Sequence, residues 1–356
     1  MRSLALHVCL CLGLVSSSTA AQETNEAAYP REFVKPTKPS MYVAPESWPS
    51  TFGRDPVNMA PKGAKSKVVV IGSGLPTPNA FRTGPSLAVV VNGYPYFVDA
   101  GEGVWRGMGQ AVIMNGDWLG EAFALGNLKH LFLTHLHEDH TVGIPTWILS
   151  PYKFGCKIDK EIYGPQGTGA MIDHILKAWT IDITEMQKGS IGQGPEGSRA
   201  NTHDLTEAGQ ILKDDNVTVF AYRTEHGALK YTFAYRFETP DRVLVFGGDG
   251  HYSPGLVEAS KNADILFIES CGLEDIANAT WGGKTVDEKK KAIGAYHMFP
   301  PDLVKVKNES GVKAIVLIHE QYYAAPPKYK RTGLMEEIKR AGLEGPIYSS
   351  IDGDVY

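Results

Sequence analysis

The stretch LFLTHLHEDHTVGIP, Leu131 to Pro145, decides how this chain is read. Leu131, Phe132 and Leu133 form an apolar run that reads as a buried strand stopping at Thr134. His135 and His137 are two apart, so on an extended backbone they point to the same side. Asp139 and His140 then fall on a turn or on the first residues of a helix, where the chain bends and aims them at a neighbouring point. Three histidines and two acids within the six positions 135–140 are the pattern expected of a site for two metal ions. Glu138, between them, reads as a solvated charge.

Three later segments answer this one. TEH ends a strand region at His226, VLVFGGDG delivers Asp249 after an apolar run, and AIVLIHEQYY delivers His319 in the same way. The total is five histidines and two carboxylates at strand ends. Two four- or five-coordinate zinc ions need about that many N and O ligands. His130, His174 and His203 have no such setting and read as core or surface residues, and His251 lies within reach of the same region.

Outward from these motifs, KVVVIGSG, SLAVVVNGYPYFVDAG, KEIYGP, NVTVFAYRTEH, KYTFAYRFE, RVLVFGGDG and DILFIES read as short strands. GAMIDHILKAWTIDI, PGLVEASK, PPDLVKVKNE and TGLMEEIKRAG carry helical periodicity. Successive strands followed by alternating strands and helices fit stacked sheets with helices outside them. Strand-Gly-x-Gly in VVVIGSGLPTP is not a dinucleotide fingerprint, because Pro76 and Pro78 stand where a helix would have to open.

Residues 1–21 combine Arg2, the apolar run LALHVCLCLGLV and small residues ending near Ala20 or Ala21, the pattern of a removed secretory signal and of a secreted or periplasmic protein. The apolar run is too short for a spanning helix, so no stable membrane anchor is expected. Residues 22–64 are rich in Pro and read as an N-terminal arm, leaving 65–356 as the folded domain. The 35 basic and 40 acidic residues give a net charge of −5. That balance argues against polymeric nucleic acid as a partner, which favours basic proteins, and for a small-molecule ester. Cys156 and Cys271 remain after processing and are equally a disulfide or two buried thiols.

On these motifs the sequence resembles the metallo-β-lactamase superfamily, whose His-x-His-x-Asp-His is matched by His135 to His140. The resemblance runs from about Lys67 to the C-terminus and implies an α/β fold, an αβ/βα four-layer sandwich of two mixed sheets flanked by helices. It assigns His135, His137 and His226 to one metal, Asp139, His140 and His319 to the other, and Asp249 as bridge. It also makes Asp99 the acid that orients a ligand histidine. Two Zn²⁺ are the implied cofactors, and a bridging hydroxide the implied nucleophile.

His297, 22 residues before His319, and Glu269, at the end of ILFIES, match a histidine–glutamate pair of the ribonuclease Z-like branch, which includes secreted zinc arylsulfatases and phosphodiesterases. The resemblance gives His297 the role of general acid and Glu269 that of fixing its tautomer. The chain departs from the branch at Gly250, Ile268, Met298 and Phe299. Transfer-RNA processing is not expected: a signal precedes the domain, and only 23 residues separate His226 from Asp249, too few for an RNA-gripping arm. The implied activity is hydrolysis of a small sulfate or phosphate ester. Lactone, carboxylic ester or β-lactam hydrolysis on the same metals, and metal binding without turnover, are the alternatives. Trp147, Tyr322 and Tyr323 are candidates for an apolar wall beside the leaving group, and Lys188 to Asn201 for a mobile lid.

Overall fold

The computed structural model describes residues 56–77, 82–279, 282–323 and 331–356. The expected signal, 1–21, and residues 22–55 of the expected arm lie outside them. No helix among the described residues is long and apolar enough to cross a membrane.

The first sheet holds six strands in chain order, β1 (Ser66–Gly72), β2 (Ser86–Val91), β3 (Tyr94–Val98), β4 (His130–Phe132), β5 (Lys160–Pro165) and β6 (Ala200–Leu205). Strand β1 runs antiparallel to β2 and β2 to β3, whereas β3 to β6 run parallel. SLAVVVNGYPYFV, read above as one strand, is a hairpin. Asn92 (φ 50°) and Gly93 (φ 81°) form its two-residue turn, and both adopt the left-handed backbone that such a turn demands.

The second sheet orders its seven strands β13-β12-β11-β10-β9-β8-β7: β7 (Gly209–Lys213), β8 (Thr218–Arg223), β9 (Phe233–Glu238), β10 (Val243–Phe246), β11 (Ile265–Ile268), β12 (Ala314–Leu317) and β13 (Ile347–Ser349). Strands β10 to β13 are parallel.

Side-chain alternation builds the layers. Val68 and Val70 of β1, Tyr96 and Val98 of β3, and Phe132 of β4 meet Leu244 and Phe246 of β10, Phe267 of β11 and Val316 of β12 between the sheets. The alternate residues turn outward. Val69, Ile71, Phe97 and Leu131 pack against α1 (Val104–Asn115), α2 (Asp117–Ala122) and α4 (Ile144–Lys153). Val245, Leu266, Ile268 and Ile315 pack against α7 (Pro254–Ala259), α10 (Pro300–Ser310) and α11 (Arg331–Arg340). The result is the four-layer sandwich expected from the sequence. Helix α10 shows why local sequence agrees with it: Pro300 opens the helix, and Gly311, at φ 68°, closes it in the left-handed conformation.

Two sequence readings change here, and one left open is decided. Trp147 is completely buried and packs edge-on to Phe97 in the outer core, so it forms no substrate wall. Ile144, Trp147 and Ile148 share one face of α4, and that face is the inward one. The expected lid is tied down at the N-terminal end of β5: Gly197 N–H donates to Asp159 (2.6 Å) and Tyr152 Oη to the Gly194 carbonyl (3.0 Å). The metal motifs lie at the C-terminal ends of the strands, so this segment does not cover them. Cys156 and Cys271 are buried free thiols.

Candidate metal centre

Parallel strands end on the same edge of a sandwich, and that edge gathers the motif residues. From the first sheet come Asp99, directly after β3, and His135 to His140 after β4, the last three of these on the single-turn helix α3 (Glu138–Thr141). From the second come His226 after β8, Asp249 after β10, Glu269 after β11 and His319 after β12. Asp99, His135, His226, Asp249, Glu269 and His319 each lie within three residues of a strand end, and α3 carries the motif on from β4 to Asp139 and His140. Glu138 is exposed, as expected of a solvated charge.

The ligand atoms fall into three overlapping groups, each spanning no more than 4.8 Å: His135, His137 and His226; His135, His140 and Asp249; Asp139, His140 and His319. His226 Nε2 lies 3.1 Å from His137 Nδ1. Asp249 reaches both ends of the cluster, with Oδ1 3.4 Å from His140 Nε2 and Oδ2 3.3 Å from His319 Nε2. Asp139 Oδ2 stands 3.3 Å from His319 Nε2. His251, turned toward Glu225, lies outside the cluster.

Each buried imidazole is oriented from behind. His140 Nδ1 donates to Asp99 Oδ2 (2.8 Å), and the same oxygen accepts from Thr134 Oγ1 (2.8 Å). Thr134 Oγ1 in turn lies 3.0 Å from His135 Nδ1, so one carboxylate supports two histidines. His226 Nδ1 donates to the Tyr296 carbonyl and His319 Nδ1 to the Gly74 carbonyl, both at 2.6 Å. Gly74 belongs to the Gly-x-Gly loop that resembled a nucleotide motif. Asp99 (φ 58°) and His319 (φ 49°) adopt left-handed backbone, a strain concentrated at this site.

With these nitrogens engaged, His135 Nε2, His140 Nε2 and His319 Nε2 are buried and have no hydrogen-bond partner among the described residues. The carboxylate oxygens near His140 and His319 are close but not aligned for hydrogen bonds. Convergent buried imidazole nitrogens left unsatisfied are costly unless a cation takes their lone pairs. The donor set therefore fits two divalent metal ions.

The electrostatics agree. Burial pushes His135 well below the ordinary imidazole pKa and His226 to about 4. Burial opposes charge on His140 and His319 too, but Asp249 outweighs it, with Asp99 helping at His140 and Asp139 at His319. His140 is held well above the usual value, and His319 is raised to about 10. Asp249 thus favours positive charge at these two positions.

His297 and Glu269 meet beside this cluster. Glu269 is fully buried, and its Oε1 accepts from His297 Nδ1 (3.2 Å) and from Met298 N–H (2.9 Å). His297 Nδ1 is also 3.8 Å from Asp249 Oδ2. Burial raises the Glu269 pKa. It works against the His297 imidazolium, but the Glu269 carboxylate prevails and raises that pKa as well.

Of the aromatic residues considered from sequence, Tyr323 approaches, with its ring 6.2 Å from that of His297, while Tyr322 packs into the outer core of the second sheet. Sequence reading passed over Tyr296, which is 38% exposed, with its ring 5.4 Å from His226. It lies over Gly227, where a Cβ would meet the ring at 2.1 Å, so only glycine admits it. The carbonyls of Tyr296 and Gly74 carry no signal in sequence, because every residue has one.

A sandwich with a histidine–aspartate cluster at its strand ends defines a class of metallohydrolase folds. The chain belongs to the β-lactamase superfamily, whose domain model matches residues 97–320. A ribonuclease Z of Mycobacterium sp. (strain KMS) is 27% identical over 258 residues, 71% of this chain and 83% of that protein. Among solved structures, the short form of human tRNase Z aligns with a TM-score of 0.57 at 19% identity over 82% of this chain and 98% of its own. A diphosphatase of the PhnP family aligns at 0.53 and 17% over 82% and 97%.

These relatives overturn one expectation. Charge balance and the short His226–Asp249 spacing argue against polymeric nucleic acid, yet this chain is similar to curated ribonucleases Z of mycobacteria. Net charge averages over the whole surface, whereas a metallohydrolase engages its substrate at the metal centre, so an acidic balance does not exclude RNA.

Proposed function

We propose that this protein is a zinc-dependent hydrolase of phosphate or sulfate esters, phosphodiesters foremost, and that it is exported after loss of residues 1–21. The observation that carries the reading is the His297–Glu269 pair set against Asp249. A site that only stored metal would have no use for a buried acid–base pair beside its ligands. Ribonuclease Z relatives support a phosphodiester in particular.

His135, His137 and His226 would hold one ion, and Asp139, His140 and His319 the other, with Asp249 shared between them. When bound, two zinc ions supply Lewis acidity at the substrate oxygens and bring the pKa of a water near neutrality. Asp99 and Thr134 keep the proton of His140 on Nδ1, so that Nε2 offers its lone pair. Glu269 fixes the Nδ1 proton of His297, leaving Nε2 to pass a proton to the departing oxygen, and its negative charge stabilises the protonated ring.

The test combines metal analysis with a panel of an aryl phosphodiester, a precursor tRNA, an aryl sulfate, a phosphomonoester, a lactone and a β-lactam, with Asp249→Ala as control. About two zinc per chain and control-sensitive turnover of a phosphate or sulfate ester are expected. Turnover confined to the lactone or β-lactam, or none, would sink the proposal. N-terminal sequencing of exported protein, expected to begin near Ala21 or Gln22, tests the processing.

A further inference from the structure

We infer that Asp352, near the C-terminus and far in sequence from every candidate ligand, is a positioning residue for the metal site formed by Asp139, His140 and His319. The inference rests on the metal reading above and adds to it a residue that no motif marks.

Asp352 is buried, 1% exposed, and its carboxylate gathers three donors. Oδ1 accepts from Ser73 N–H (2.9 Å) and Ser73 Oγ (2.7 Å). Oδ2 accepts from Thr83 N–H (2.7 Å), while Thr83 Oγ1, 3.3 Å from Oδ2, donates to the Ile71 carbonyl (2.8 Å). The two residues it grips flank Gly74: Ser73 precedes it, and the Thr83 carbonyl accepts from Gly74 N–H (2.8 Å). Gly74 then presents its own carbonyl to His319 Nδ1 at 2.6 Å. Asp352 is itself anchored, since Gly353 N–H donates to the Val70 carbonyl of β1 (2.8 Å).

The chain of contacts has a chemical purpose. His319 stands on left-handed backbone, and the Gly74 carbonyl is what decides that the Nδ1 nitrogen carries the proton and that Nε2 faces Asp139 and Asp249. A carbonyl on a loop holds that position only if the loop is held. One buried carboxylate does so from both sides, as Asp99 does for His140 and His135 through side chains.

Asp352→Asn tests this in the full chain. Asparagine keeps the acceptor for Ser73 but turns an NH₂ toward the Thr83 N–H, so the Thr83 half of the clamp is lost. Zinc titration against a competing chelator should show the ion at Asp139, His140 and His319 weakened about 10- to 100-fold and the ion at His135, His137 and His226 unchanged. In metal-free protein, nitrogen NMR of the imidazoles should show the His319 Nδ1–H losing its hydrogen bond to the Gly74 carbonyl, while the His226 Nδ1–H keeps its bond to the Tyr296 carbonyl. Both ions weakened alike, or neither, with His319 unaltered, would overturn the inference. Should the variant not fold, Ser73→Ala removes one hydroxyl contact and should produce the same selective effects at smaller size, and an unaltered His319 there would overturn it too. A wild type that binds no zinc would defeat the proposed function, while the metal-free imidazole spectrum would still decide this point.

Discussion

Replacing Asp99 by Asn isolates the orienting contact at the centre of the site. Asparagine matches aspartate in size and tolerates the left-handed backbone found there, φ 58°, so the loop has no reason to move. Its Oδ1 can still accept from Thr134 N–H, which now bonds Asp99 Oδ1 at 2.8 Å. Its NH₂, however, faces two donors where Oδ2 accepts from both Thr134 Oγ1 and His140 Nδ1. The threonine hydroxyl can rotate to become an acceptor, but the imidazole cannot. His140 then keeps a buried, unsatisfied Nδ1–H, at about 1–3 kcal/mol, or moves the proton to Nε2, where it blocks the lone pair. Either way the affinity of the site formed by Asp139, His140 and His319 should fall about 10- to 100-fold, roughly 1.4–2.7 kcal/mol. The site at His135, His137 and His226 should lose less, because it senses Asp99 only through Thr134. The assay is zinc competition with a chromophoric chelator, with thermal unfolding of the metal-free protein as a check on folding. A variant that folds and binds both ions with wild-type affinity would refute the reasoning.

Three further outcomes are expected. His297→Ala should leave zinc content intact and lower kcat on esters with poor leaving groups by about 10²- to 10⁴-fold, with a much smaller loss on activated aryl esters; equal losses on both would remove it as the acid. Trp147→Ala should cost about 3–5 kcal/mol in denaturant unfolding while leaving relative rates across substrates unchanged, and a selective loss of aryl esters at unchanged stability would restore it to the substrate wall. His130 is buried against Tyr96, and burial lowers its pKa from 6.5 to about 4. The unfolded chain therefore binds the proton first, and the stabilisation is complete above pH 6.5 and lost as pH falls toward 4. That difference is worth about 3 kcal/mol (2.5 × 1.36), and His130→Gln should flatten this part of the stability profile; an unchanged pH dependence would count against the assignment.

The sequence by itself determined the strands whose side chains alternate between two apolar layers, and the candidate ligands at their ends. That information is local: a strand buried on both faces needs apolar residues at every position, and a metal needs His and Asp where the strand stops. It did not reveal β6, β7 and β13, whose residues are only partly buried, so their pattern is weak. Nor did it reveal which way Trp147 faced, although the spacing of Ile144, Trp147 and Ile148 carried that signal. The resemblance pointed to Asp99 as an orienting acid, but only the tertiary structure decided which histidine it stands behind and what stands behind the others. Asp99 meets His140 across 41 residues, Tyr296 meets His226 across 70, and Gly74 meets His319 across 245. Two of those three partners are backbone carbonyls, identical in every residue, and folding alone gives such a group a place.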